Sequence, residues 1–232
     1  GDRMIMANAT GCSSIYGGTA PANPYTTDKN GNGVAWANSL FEDNAEFGLG
    51  IKLGANKKQE QLKQHLTTLL NKNLNEKLNE YILNYLNCNT AHEQRYFGKF
   101  ITEILTLRNN SHPDQLITNI LLLKDSFVTQ SVWIVGGDGW AYDIGYGGLD
   151  HVLNSKENIN ILVLDTEVYS NTGGQSWKST PLGAVAKFAS GGKRSKKKDL
   201  AHLATLYKDV YVAKVSMGAN QNQLIKAFME AE

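Results

Sequence analysis

Two short apolar runs in the second half of the chain each end in a loop that carries glycine and oxygen-bearing side chains. Residues 131–135 lead into a Gly-Gly-Asp-Gly sequence around Asp138, and residues 159–164 lead into a loop that begins at Asp165. Strands that alternate with helical segments, as in this half of the chain, predict a parallel sheet covered by helices. Because parallel strands end at one edge of the sheet, where open α/β sheets bind ligands, we expect the two loops to lie side by side.

The two loops carry the ligand types that a magnesium ion holding a diphosphate requires. Mg²⁺ takes about six oxygens and usually keeps water and phosphate oxygens among them, so a protein needs to supply only two or three. Asp138 offers a carboxylate, Thr166 a hydroxyl, and the backbone near Val168 a carbonyl. The neighbouring glycines leave room for backbone N–H groups to approach phosphate at the start of a helix. A plain turn would also explain Gly-Asp-Gly, but not a second polar loop at a matching strand end.

Four longer stretches carry a more specific pattern, and they are residues 7–16, 36–48, 137–151 and 165–175. Together they resemble the thiamine diphosphate domain of the pyruvate:ferredoxin (or flavodoxin) oxidoreductases and of the related pyruvate:NADP oxidoreductases. The resemblance covers roughly residues 1–50 and 130–232 and is loose in between. It implies a thiamine diphosphate-binding α/β fold, with a parallel sheet and helices on both faces, and the chain resembles a fragment of a larger multidomain enzyme.

The resemblance also implies roles for individual residues. The positions that match cofactor-binding residues are Gly137, Asp138, Gly139, Trp140, Thr166 and Val168. Of these, Asp138, Thr166 and the carbonyl of Val168 match the magnesium ligands. Asn171 matches an asparagine that faces the substrate beside the reactive thiazolium carbon, and it is therefore the candidate catalytic residue.

The two cysteines are expected to differ in role. Cys12 matches one of four cysteines that hold the [4Fe–4S] cluster nearest to the thiamine in the family, whereas the matches to the other three lie outside this chain. Cys88 follows an amphipathic segment and is expected to be an ordinary, partly buried thiol. We therefore expect Cys12 to bind a cluster only in the intact enzyme.

The reaction that the resemblance implies is the oxidative decarboxylation of pyruvate to acetyl-CoA. Its cofactors would be thiamine diphosphate, Mg²⁺ and iron–sulfur clusters, with coenzyme A as co-substrate. Electrons would pass to ferredoxin, to flavodoxin, or to a fused NADP-linked flavoprotein domain, and the intact enzyme is expected to be a homodimer. In the family, a carboxylate needed to activate the thiamine comes from another domain. No candidate for it occurs here, so the chain alone is expected to be inactive.

Charge and hydropathy exclude some other classes of function. The net charge of +1 gives no reason to expect a nucleic-acid partner, and no run of 18 apolar residues predicts a membrane span. We expect a cytoplasmic protein, although the sequence leaves an organellar location of the full-length enzyme open. Residues 193–198 carry five basic side chains, which favour either a solvated loop or a site for phosphate, coenzyme A or nucleic acid.

The pattern of apolar and turn-forming residues along the chain predicts one domain over residues 1–232, with a mostly helical insertion at about 51–130. Met4–Ala9 should be a strand and residues 17–35 an irregular loop. Helices are predicted over residues 37–53, 56–106, 114–124, 142–153, 183–189, 200–206 and 220–231. Besides the runs at 131–135 and 159–164, residues 210–215 are predicted to form a strand.

The alternative function is a non-catalytic nucleotide- or diphosphate-binding module. It would explain the glycine-rich loop around Asp138 equally well. However, the glycines at 145–148 do not form a GxGxxG pattern in the right frame after a strand, and the loop after residue 164 stays unexplained.

Overall fold

The computed structural model of the chain describes residues 3–11, 13, 27, 31 and 33–232. Cys12 and most of the predicted 17–35 loop therefore lie outside the described residues. The chain is arranged in two units, Gly1–Ile51 with Ser131–Glu232, and Lys52–Gln130. The second unit matches the helical insertion expected at about 51–130, and the expectation of a single domain over residues 1–232 stays a prediction.

A parallel sheet organises the first unit. Its strands are β1 (Met4–Ala9), β2 (Ala35–Ser39), β3 (Ser131–Gly137) and β4 (Asn160–Leu164), arranged in the order β2-β1-β3-β4. Every pair of neighbours in this sheet is parallel. The predicted α/β class with a parallel sheet is confirmed.

Side chains of the central strands alternate between two apolar clusters, as the period of a strand requires. Ile134 lies in one cluster with Ala7, Ala45 and Leu149, so this face packs against helices. Trp133 and Val135 lie in the other with Met6, and Ala231 of the last helix packs against them. Helices therefore cover both faces of the sheet.

The helices are interspersed with the strands along the chain. They are α1 (Asn44–Asn71), α2 (Glu76–Asn87), α3 (Ala91–Ser111), α4 (Gln115–Leu122), α5 (Tyr146–Asn154), α6 (Leu200–Ala204) and α7 (Gln221–Ala231), together with a 3-10 turn (Lys124–Ser126) and a π-helical turn (Gly139–Ile144). Across the part of the chain that the structure describes, no helix has the length and apolar character needed to cross a membrane.

The second unit is helical, as the leucine spacing predicts. Its core is a cluster of buried side chains that includes Leu62, Leu66, Leu78 and Ile82. Local signals define the helix starts, since α2 is capped by Asn75 and α3 begins with a reciprocal capping box between Thr90 and Glu93.

Three sequence-based predictions were wrong at the level of single elements. The helix predicted over 37–53 begins only at Asn44, because residues 35–39 form β2 instead. Residues 183–189 form turns and isolated bridges rather than a helix. Residues 210–215 form no strand, because they pair with no neighbouring strand and expose much of Tyr211 and Val215 to solvent.

The start of α1 is attached to the sheet by a buried amide. The Asn44 side chain donates to the carbonyl of Val135 at 3.1 Å and accepts from the Ser39 hydroxyl at 2.8 Å. One turn later, Gly48 lies so close to β3 that a Cβ atom there would be 2.3 Å from Cγ1 of Ile134. The absence of a side chain at Gly48 therefore sets how closely α1 packs on the sheet.

Two glycines of α1 give a matched test of this packing. Gly48→Ala should lower the free energy of unfolding by about 1–3 kcal/mol, because the added methyl overpacks the contact with Ile134. Gly50→Ala should raise it by about 0.5–1 kcal/mol, since no heavy atom lies within 4 Å of the added methyl group and alanine is the better helix former. Urea unfolding of the two variants measures both values. An equal effect of the two substitutions would contradict this account.

Candidate cofactor and metal site

The two predicted loops follow neighbouring strands in register. Gly137 at the end of β3 pairs with Leu164 at the end of β4 in a parallel ladder. Asp138 and Asp165 are the residues that follow these two strands, so both loops start at the same edge of the sheet. The adjacency that the sequence predicted is therefore present.

The three predicted magnesium ligands converge at this edge. Oγ1 of Thr166 lies 3.4 Å from Oδ1 of Asp138 and donates to the carbonyl oxygen of Val168 at 2.9 Å. A separation of more than about 10 Å between the Asp138 and Thr166 side chains would have been incompatible with a shared ion. At the observed distances of 3.4 Å and 2.9 Å, these oxygen atoms are close enough to bind the same small cation.

The chemistry of these groups fits a hard divalent cation. They offer one carboxylate, one hydroxyl and one carbonyl, all oxygen donors, which leaves other positions of an octahedral ion for water and phosphate. Asp138 is only 2 % exposed. Burial raises the pKa of its carboxyl above the ordinary value, the hydrogen bond from Ser179 lowers it, and the charge of Asp165 raises it further. A cation at this point would offset the cost of burying the carboxylate.

Ser179 and Thr180 connect the two loops, and the sequence analysis missed both. The Ser179 hydroxyl donates to Oδ2 of Asp138 at 2.8 Å, and the Thr180 hydroxyl donates to the carbonyl of Glu167 at 2.6 Å. Both side chains are fully buried. Ser179 leaves Oδ1 of Asp138 facing Thr166, so it orients the carboxylate toward the candidate ion.

Most glycines around Asp138 are explained by close packing. A Cβ atom at Gly136 or Gly145 would lie 2.5 Å or 2.2 Å from the Trp140 ring, and one at Gly139 would lie 2.5 Å from the ring of Tyr169. A Cβ atom at Gly137 would meet the Leu164 carbonyl oxygen at 4.0 Å, which is ordinary van der Waals contact, so close packing does not account for this glycine. The prediction that Gly137 and Gly139 admit phosphate is thus joined by a packing role for Gly139.

Trp140 has a different environment from the other residues that the resemblance placed at the diphosphate. Its side chain is fully buried, and its indole Nε1 has no hydrogen-bond partner among the described residues. The ring belongs to the core between the sheet and the helices. A contact between Trp140 and a diphosphate would therefore be made by its backbone N–H.

Asn171 lies in an exposed turn of the loop that begins at Asp165. The turn is closed by two backbone hydrogen bonds, from the N–H of Tyr169 to the carbonyl of Gln175 and from the N–H of Gly174 to the carbonyl of Tyr169. Gly173 and Gly174 supply the positive φ angles of 106° and 86° that it needs. The Tyr169 ring packs edge-on against Phe41, with 5.4 Å between ring centroids. The turn is thus attached at its base, and the catalytic role of Asn171 stays a prediction.

The basic run at 193–198 is an ordered part of this region rather than a solvated loop. Lys193 donates to the carbonyl of Thr180, and Lys197 contacts Asp165 and Glu167 at 2.6 Å and 3.0 Å. Lys198 donates to the carbonyl of Tyr142 at 3.1 Å. Burial, followed by the charge of nearby Lys178, lowers the pKa of Lys198 to about 8. Arg194 and Lys196 remain exposed.

Removal of the Ser179 hydroxyl tests its role beside the candidate ion. Ser179→Ala should weaken Mg²⁺ binding by roughly tenfold, as is common when a hydrogen-bond partner of a metal ligand is lost. Isothermal titration with Mg²⁺ in the presence of thiamine diphosphate measures the change. Ser176→Ala is the control, because the hydrogen bond from Ser176 to the carbonyl of Lys187 is made by the backbone N–H and is kept when the hydroxyl is removed. Equal Mg²⁺ affinities for Ser179→Ala and the unmodified protein would refute the orienting role.

Comparison with known proteins agrees with the resemblance. Residues 123–232 match the family described as "Thiamine pyrophosphate enzyme, C-terminal TPP binding domain", thiamine pyrophosphate being another name for thiamine diphosphate. The whole chain is 56% identical to a pyruvate-flavodoxin oxidoreductase of Trichormus variabilis and 53% identical to a pyruvate:ferredoxin oxidoreductase of Moorella thermoacetica, covering 20% of each. It is also 50% identical to the mitochondrial pyruvate dehydrogenase [NADP(+)] of Euglena gracilis, covering 13% of that protein.

These relatives are enzymes of the oxidoreductase class, and the similarity extends over the entire chain. The chain spans about a fifth of the length of the first two curated relatives it matches. The resemblance to the pyruvate:ferredoxin, pyruvate-flavodoxin and pyruvate:NADP oxidoreductases that the sequence predicted is therefore confirmed.

Proposed function

We propose that this chain is the thiamine diphosphate- and magnesium-binding part of a pyruvate oxidoreductase. The observation that carries the proposal is the convergence of Asp138, Thr166 and the Val168 carbonyl at the carboxyl edge of β3 and β4. The names of the similar proteins support pyruvate as the substrate and flavodoxin or ferredoxin as the electron acceptor.

Each residue of the site would contribute a distinct part of cofactor binding. Asp138 would supply the negative charge that holds Mg²⁺, while Thr166 and Val168 would supply neutral oxygens. The absence of a side chain at Gly137 would let the backbone approach the diphosphate. When bound, thiamine diphosphate supplies a nucleophilic carbon and an electron sink for decarboxylation of a 2-oxo acid. Asn171, at the exposed turn, would face the substrate.

The rest of the proposed reaction needs parts of a longer protein. Cys12 would be one of the ligands of a [4Fe–4S] cluster that accepts the electrons, and coenzyme A would take the acetyl group. We propose that the intact enzyme is a homodimer and that the chain alone is inactive. A cytoplasmic location is proposed, although the Euglena gracilis relative is described as mitochondrial.

The non-catalytic nucleotide-binding module is the competing proposal, and ligand choice distinguishes the two. Thiamine diphosphate with Mg²⁺ should raise the melting temperature of the protein, whereas NADP with Mg²⁺ should not. Stabilisation by NADP alone would favour the nucleotide-binding module.

Two substitutions should separate cofactor binding from turnover in the intact enzyme. Asp138→Ala should abolish Mg²⁺-dependent binding of thiamine diphosphate, because it removes the only charged ligand that we assign. Asn171→Ala should spare binding and lower the rate of pyruvate-dependent dye reduction. Calorimetric titration and steady-state kinetics measure the two effects. Asp209→Ala is the control, because the Asp209 side chain is 73% exposed. Normal cofactor binding by Asp138→Ala would show that the ligand assignment is wrong.

Iron content tests the assignment of Cys12. The isolated chain should carry no cluster after anaerobic reconstitution, because a [4Fe–4S] cluster needs several converging thiolates and this chain has only two cysteines. In the intact enzyme, Cys12→Ala should lower the iron content and slow electron transfer to the acceptor, while Cys88→Ala should leave both unchanged. Stoichiometric iron on the isolated chain, or full iron content in intact Cys12→Ala, would refute the assignment.

A further inference from the structure

Lys197 lies between the two acidic residues that flank Thr166. Its Nζ is 2.6 Å from Oδ2 of Asp165 and 3.0 Å from Oε1 of Glu167. The Lys197 side chain is 23% exposed, so these contacts are partly shielded from water. One ammonium group therefore bridges the residues on both sides of a candidate metal ligand.

The backbone between these two acidic residues has an uncommon conformation. Glu167 has a φ of 66°, in the left-handed region that residues other than glycine rarely adopt. Its N–H donates to Oδ1 of Asp165 at 3.1 Å, and its carbonyl accepts from the Thr180 hydroxyl at 2.6 Å. This turn allows the Thr166 hydroxyl to meet the Val168 carbonyl at 2.9 Å. The arrangement of two candidate ligands thus depends on a turn that its surroundings must hold.

Lys197 is itself held in place by its neighbours in the chain. The N–H of Lys198 donates to the carbonyl of Lys178 at 2.9 Å, and the N–H of Lys193 donates to the carbonyl of Ala184 at 3.0 Å. Asp165 is fixed from a second side, because the hydroxyl of Tyr142 donates to its Oδ2 at 2.7 Å. The ammonium group of Lys197 therefore reaches the turn from an anchored segment.

We propose that Lys197 is a positioning residue that holds the turn from Asp165 to Val168 in the shape that binds magnesium. Without its charge, the carboxylates of Asp165 and Glu167 would repel each other and Asp138, and the turn would lose the contact that joins its two sides. Among the described residues, the ammonium group pairs with Asp165 and Glu167 and leaves the carboxylate of Asp138 to the candidate ion. This inference rests on the proposed function of the site.

The first test compares three variants of the intact enzyme at saturating thiamine diphosphate. Lys197→Met should raise the Mg²⁺ concentration for half-maximal cofactor binding by roughly tenfold. Lys197→Arg should recover most of the affinity, because a guanidinium can contact both carboxylates. Lys196→Met is the control and should behave as the unmodified enzyme, because Lys196 is exposed. Fluorescence or calorimetric titration with Mg²⁺ gives the half-saturation values.

The second test does not depend on the cofactor. Amide hydrogen exchange in residues 165–168 of the cofactor-free protein should be faster in Lys197→Met than in Lys196→Met, while exchange in β1 and β3 stays the same. Glu167→Gln removes only one of the two ion pairs and should have a smaller effect in the same direction. A general loss of folding would instead raise exchange throughout the sheet, which would overturn a specific positioning role.

The outcomes separate this inference from the function on which it rests. If the unmodified enzyme bound the cofactor without any dependence on Mg²⁺, the proposed function would fail, and hydrogen exchange would still test Lys197. If the unmodified enzyme needed Mg²⁺ but Lys197→Met had the same half-saturation and exchange rates, only the role of Lys197 would be overturned.

Discussion

The parallel pairing of β3 with β4 is the constraint on which the candidate site depends. The register sets Gly137 beside Leu164, so that Asp138 and the loop from Asp165 leave the sheet at the same level. A slip of one residue would turn the side chains of a strand to the opposite faces of the sheet. The alternation of Trp133 and Ile134 between two separate apolar clusters penalises such a slip, so core packing fixes the geometry of the candidate metal ligands.

The second requirement is electrostatic, because the site buries a carboxylate among other acids. Asp138 is stabilised by hydrogen bonds from Ser179 and from the N–H of Gly139, at 2.8 Å and 3.1 Å. The negative charge of Asp165 has the opposite effect and raises the pKa of the Asp138 carboxyl. Lys197 compensates Asp165 and Glu167. Burial acts to lower the pKa of Lys197, but the hydrogen bonds and charges of these two partners together raise it above the ordinary value. The charge that remains uncompensated is thus the one suited to a cation and its diphosphate.

Sequence patterns predicted the parts of this protein that local composition determines. β1, β3 and β4 are apolar runs, and the helical unit follows from its leucine spacing and caps. β2 was missed because the Ala35–Ser39 segment is short, partly exposed and mixed in composition. Residues 210–215 have a strand-like composition but no pairing partner, and strand propensity does not act without one.

The candidate site likewise contains residues that the local sequence indicates and residues that only the fold brings to it. Asp138, Thr166 and Val168 could be predicted as candidate ligands because they lie in loops that follow recognisable strands. Ser179 and Lys197 were missed because they reach the site from 41 and 30 positions along the chain, through a loop with no regular secondary structure. Their roles follow only from the fold, which brings a hydroxyl and an ammonium group to acids already in place.

The glycine-rich segment after β3 combines folding and binding in a way that a phosphate-binding interpretation alone would not reveal. Gly136 and Gly145 leave room for the buried Trp140 ring, and Gly139 leaves room for Tyr169 from the second loop. These contacts fix the start of the π-helical turn and attach the second loop to the first before any ligand binds. A Cβ atom added at Gly137 would come no closer than 4.0 Å to the Leu164 carbonyl oxygen, so packing does not require this glycine, which is consistent with its proposed contact with the diphosphate. A rigid loop of this kind loses little conformational entropy on binding, so the same packing that forms the core also preorganises the site.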